Sequence, residues 1–194
     1  VAILIRPSQY PFPRASATRW LAWILGLCFL PNLATPSLAQ AADEYHVKAL
    51  FLYNFAKFVD WPQQMQAGPI CIGVFGEDPF GGELDQTVAG KTVNGRGFVI
   101  KRLKRQEDAK ACHIVFVSGS EKKRTRAILE GLENCSVLTV GEVPGFAPNG
   151  GIINFEIVDS KVRFEVNIDA AERTGLKLSS KLLSLAKIVK DGRP

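Results

Sequence analysis

The stretch ACHIVFVSGS (Ala111–Ser120) sets a thiol, Cys112, directly beside an imidazole, His113. That pairing is used by nucleophilic catalysts and by metal sites, and a cysteine can also close a disulfide. A catalytic Cys–His unit needs the two side chains to meet. CHIVFV reads as a strand, and strand neighbours point to opposite faces, so Cys112 and His113 do not form that unit. Zinc calls for about four ligands. The chain has only two histidines, His46 and His113, and neither C-x-x-C nor H-x-x-x-H occurs. His113 therefore reads as structural.

Other tempting spacings fail on chemistry. AGKT (Ala89–Thr92) ends like a phosphate-binding loop, but Asp85 stands where that loop needs its first glycine, and its carboxylate would repel a phosphate. SLAK (Ser184–Lys187) has the Ser-x-x-Lys spacing without the Ser-Asp-Asn and Lys-Thr-Gly companions of that chemistry. GVFGEDPFGG (Gly73–Gly82) is acidic and lacks the G-x-G-x-x-G order, so it reads as a turn at the end of a strand. Glu77 and Asp78 within it read as solvated charges. No catalytic constellation, metal site or cofactor site emerges, and the expectation is a protein that is not an enzyme.

The elements that carry these residues follow an N-terminal leader. Residues 1–39 combine Arg14 and Arg19, the apolar run WLAWILGLCFL (Trp20–Leu30) and small residues before Ala39 and Ala41. The run is shorter than the roughly 20 residues that span a bilayer. This is the pattern of a secretory signal peptide, leaving residues 40–194 as one exported domain with no transmembrane segment. Three of the 24 basic residues and none of the 19 acidic ones fall in the leader, so the net charge of +5 gives little support to nucleic-acid binding.

EYHVKALFLYNFAKFVDWP (Glu44–Pro62) has Val47, Leu50, Phe51, Phe55, Phe58 and Val59 at helical spacing, with Lys48 and Lys57 facing water. ICIGVF (Ile70–Phe75) is a continuous apolar run, the pattern of a strand buried on both faces. A short helix near Pro79, strands at GFVIKRL and CHIVFV, and a Ser120-capped helix to Asn134 follow, then a strand at SVLTV. IINFEIV and VRFEVNI flank DSK as a β-hairpin, and GLKLSSKLLSLAKIVK closes the chain as a helix. The order predicts a single α/β domain with a mainly parallel sheet, an added C-terminal β-hairpin and a C-terminal helix.

Cys71, Cys112 and Cys135 each sit at the start of a predicted strand, hence on one edge of a parallel sheet. In the doubly wound order 2-1-3-4 the Cys112 strand lies between the other two. An exported chain matures where disulfides form. Cys112 can reach either neighbour, and loop length does not choose between them.

Three stretches, KALFLYNFAKFVDWP, CHIVFVS and GGIINFEIVDSKVRFEVNIDAAERTGLKLSSKLLSLAKIV, together resemble the YfiR family of periplasmic regulators. The resemblance implies a Rossmann-like fold. It implies a non-catalytic repressor, often a homodimer, that binds the periplasmic domain of an inner-membrane diguanylate cyclase and lowers cyclic di-GMP and biofilm formation. It places the family's disulfide at Cys71 and Cys112. No cysteine follows Cys135, so the family's second, C-terminal pair is missing. The partner-binding surface would map to Phe155, Glu165, Ile168 and Leu176, with a buried Glu165 requiring a partner such as Arg163 or Arg173. The alternative is a periplasmic small-ligand-binding module using the crevice near Gly76–Gly82.

Overall fold

A computed structural model describes residues 38–192. All but the last two residues of the expected signal peptide, 1–39, lie outside the described residues. Helix α1 spans Leu38–Phe58 and runs into strand β1 (Val59–Asp60). Then come β2 (Ile70–Phe75), α2 (Glu83–Val88), β3 (Phe98–Leu103), α3 (Gln106–Ala109) and β4 (Ile114–Val117). Next are α4 (Thr125–Leu132), β5 (Leu138–Gly141), β6 (Ile153–Val158) and β7 (Lys161–Asn167). α5 (Ile168–Arg173), β8 (Lys177–Leu178), α6 (Ser180–Leu183) and β9 (Lys187–Val189) complete the described chain.

Seven strands form one sheet in the order β3-β2-β4-β5-β6-β7-β9, and β1 pairs with β8 in a separate ribbon. β3, β2, β4, β5 and β6 are mutually parallel, β7 returns antiparallel to β6, and β9 runs parallel to β7. The Cys112 strand does lie between those of Cys71 and Cys135. Alternation along each strand divides the core in two. One face buries Ile70, Ile72, Val74, Ile114 and Phe116 against α1 and α2, and the other buries Phe75, Val115 and Val117 under Ile128, Leu129 and Leu132 of α4. Aromatic packing dominates the first face: Phe55 stacks on Phe155 at 5.9 Å and meets Phe164 edge-on at 5.3 Å.

Three local expectations need correction. The C-terminal segment is not one long helix: Ser179 accepts the Leu182 N–H and caps the four-residue α6, and Ile188 and Val189 then join the edge of β7. Sheet pairing of β-branched residues overrides the helical period there. Helix α4 begins at Thr125; Ser118 caps a 3-10 turn at Gly119–Glu121 instead of Ser120 capping the helix. Lys48 does not face water, being only 3% exposed.

Candidate functional site

At the amino edge of the sheet, Cys71 and His113 grip each other twice. The His113 N–H donates to the Cys71 carbonyl at 2.9 Å, and the Cys71 N–H donates to His113 Nδ1 at 3.1 Å. This extends the β2–β4 ladder one step before β4 begins. Nδ1 is thus an acceptor, so Nε2 carries the proton and donates to the Met65 carbonyl at 2.7 Å. Arg96 also lies 2.7 Å from Nε2. Two donors cannot satisfy each other, so we assign the Arg96 hydrogens to the Gly68 and Ala67 carbonyls, at 2.6 and 3.3 Å. Trp61 closes the cage, donating from Nε1 to the His113 carbonyl at 3.2 Å with its ring edge-on to the imidazole.

The imidazole therefore meets the backbone of Cys71, not its thiol. The thiol points to the other face, where its Sγ lies 2.7 Å from Cys112 Sγ, both cysteines being free. Gly73 makes the room: a Cβ there would lie 3.2 Å from Cys112 Sγ and 2.5 Å from Leu103 Cδ1. Contact with Cys71 and burial push the Cys112 thiol up, while the same contact pulls the Cys71 thiol down. Cys135 packs half-buried against the same core. Among the described residues, no three His, Cys, Asp or Glu side chains converge to hold a metal.

Burial, against the opposing hydrogen bond to the Met65 carbonyl and helped by the Arg96 charge, holds the His113 pKa below its usual 6.5. Unfolded chain then binds the proton more readily than folded chain. The stability His113 contributes is complete above pH 6.5 and is lost as pH falls from there through the folded value. The melting temperature should drop between pH 7 and 5, with a contribution of up to about 1.4 kcal/mol per pH unit from this group. A His113→Gln chain should lack that part of the slope; an identical pH profile would rule the ring out as its source.

The four expected partner-binding residues do not share a surface. Phe155 and Leu176 are buried in the α1-side core, and Ile168 packs half-buried on it. Glu165 is also buried, on the opposite face of β7, where it accepts from Lys187 Nζ of β9 at 2.7 Å. Its partner is thus Lys187, not Arg163 or Arg173. The exposed apolar side chains of this region are Ile157, Val158, Leu185 and Ile188. Sequence offered one signal for them: in INFEIV the alternation fails at its end, where Ile157 and Val158 are both apolar.

At the carboxyl edge, the turn at Gly76–Gly82 is tied down by hydrogen bonds from the chain itself. Ser120 Oγ accepts the Glu77 N–H at 3.0 Å, and Asp78 accepts from Phe80 N–H and from Arg102, both at 2.8 Å. Asp78 is thus structural rather than merely solvated. An opening of about 550 Å³ lies between the start of α1 and β6. Beside it Lys48 donates to Glu142 at 2.7 Å and pairs with Glu44 one turn before it. Glu142 also accepts the Gly119 N–H at 2.9 Å and the Tyr45 hydroxyl at 3.2 Å. Burial and Glu142 together raise the Tyr45 pKa, keeping it a donor.

A family profile described as YfiR/HmsC-like matches residues 45–187. No curated protein matches the chain. Among solved structures, a conserved domain protein from Vibrio cholerae superposes with a TM-score of 0.51 at 11% identity, over 72% of this chain and 59% of that one. The chain thus spans under two thirds of that structure's length, and the likeness concerns the fold alone. The ABC domain in complex with L-Trp from Streptococcus pneumonia gives a TM-score of 0.46 at 9% identity, over 77% of this chain and 60% of that one, and carries no argument.

Proposed function

The chain belongs to the YfiR/HmsC-like family, and from that membership we propose that it is a non-catalytic periplasmic regulator. On this reading it binds the periplasmic domain of an inner-membrane diguanylate cyclase, lowering cyclic di-GMP and biofilm formation. The observation that carries the reading is the family match across nearly the whole α/β domain. The mechanism is a population shift: a protein that binds only the inactive receptor conformation holds the enzyme off by its differential affinity. Residues 1–39 serve as the export signal and residues 40–194 act as the regulator, as a homodimer. The Cys71–Cys112 contact is read as a disulfide, the state expected in an oxidising compartment. On this reading the bridge stabilises the fold.

Deleting the gene should raise cellular cyclic di-GMP several-fold when the neighbouring membrane cyclase is present and leave it unchanged when that cyclase is also deleted. Equal levels with and without the regulator, in the presence of the cyclase, would sink the proposal.

A further inference from the structure

The sheet has two outer edges and one internal gap. The outer edge strand β3 carries exposed Lys101 and Arg102, and the short β9 begins with exposed Lys187 and is followed by exposed Lys190. Charged side chains on an edge deter another strand from pairing there. The gap is different. β5 pairs with β6 only at Val140↔Ile153 and Gly141↔Asn154, whereas β7 stays paired with β6 out to Val158. Phe155–Val158 therefore have a strand on one side and none on the other.

Backbone alternation says which groups are left over. The Asn167 N–H donates to the Ile152 carbonyl at 2.8 Å. That makes Asn154/Glu165, Glu156/Arg163 and Val158/Lys161 the hydrogen-bonded pairs of the hairpin. Ile157 must then turn both its N–H and its C=O away from β7, into the side where β5 has ended. No Lys, Arg or Pro guards the segment. It borders the 550 Å³ cleft, and Ile157 and Val158 beside it are 52% and 45% exposed.

The charge around this opening is one-sided. Of the residues that line it, Glu44, Glu142 and Glu156 outnumber Lys48, whose ammonium already contacts Glu44 and Glu142; Arg163 stands opposite Glu156 on β7. The surplus is felt locally, since burial and then Glu165 raise the Glu156 pKa. A second copy would bring the same acidic excess, whereas a cationic segment would relieve it. We propose that the open edge of β6 is a docking slot for an extended, basic segment of the partner protein. That segment adds a strand beside β6, bonding to Ile157, and sets a Lys or Arg against Glu156. This inference rests on the regulatory reading above and specifies where such a partner docks.

Proline at position 157 removes only the outward N–H, because the β6–β7 bonds run through the even-numbered residues of β6. Ile157→Pro should weaken binding to the cyclase's periplasmic domain at least tenfold, measured by calorimetry on the full exported chain. Glu156→Lys should do the same and decides the matter if Ile157→Pro does not fold. Wild-type affinity in a folded variant, or loss of self-association with partner binding intact, overturns the slot and leaves the regulatory reading standing. No binding by the wild-type chain would overturn the regulatory reading and the slot together.

Discussion

With the proposed Cys71–Cys112 disulfide formed, replacing Cys71 by serine is expected to lower stability by about 4 kcal/mol, the chain-entropy cost of opening the 41-residue loop. For a domain of this size that corresponds to a fall in melting temperature on the order of 10 °C. The wild-type chain should melt lower in dithiothreitol, and the Cys71→Ser chain should melt alike with and without it. The loss is large because the bridge would join β2 to β4, two central strands, beside the His113 ladder extension. Non-reducing peptide mapping gives the independent check. A Cys112–Cys135 peptide, or free Cys112, would contradict the assigned pairing.

Lys48→Ala is expected to destabilise the fold by about 3–5 kcal/mol, the range for breaking one side of a buried ion pair. The Lys48 side chain is 4% exposed and that of Glu142 11%. Truncation would strand the Glu142 carboxylate with only the Gly119 N–H and the Tyr45 hydroxyl as donors. The double change Lys48→Met with Glu142→Gln should recover most of the loss: methionine refills the stem's volume, and glutamine still accepts from Gly119 without a charge to solvate. Urea denaturation of the three chains tests this. A Lys48→Ala chain within 1 kcal/mol of wild type, on the scale of surface pairs, would show the pair to be effectively solvated.

These two sites differ in how readily sequence reveals them. ICIGVF is apolar at nearly every position because β2 is buried on both faces, and its bounds can be read residue for residue. The hairpin announces itself through Asp159 and Ser160, both with positive φ, between two apolar runs. Lys48 is invisible to such reading. Periodicity counts a lysine as polar, yet its stem lies in the core while its ammonium reaches Glu142, which is distant in sequence. Glu165 likewise takes Lys187, a partner exposed only when the expected terminal helix gives way to β9. The candidate partner residues Phe155 and Leu176 show the same limit. Their apolar character is legible, but whether it faces a core or a partner is decided by α1 and α6, which pack from elsewhere in the chain.

Helix α1 is made early in the described chain, yet its aromatic face rests on β6 and β7. Phe55 finds Phe155 and Phe164 only about a hundred residues later, which gives its contacts a high order and predicts slow folding. A chain emerging amino end first can rest α1 on β2 and α2, but cannot cover its aromatic face until the hairpin arrives. Until then the ring face of Phe51 and Phe55 is open to anything that holds unfolded chains, and truncations before β7 should be chaperone clients or protease substrates rather than partial folds.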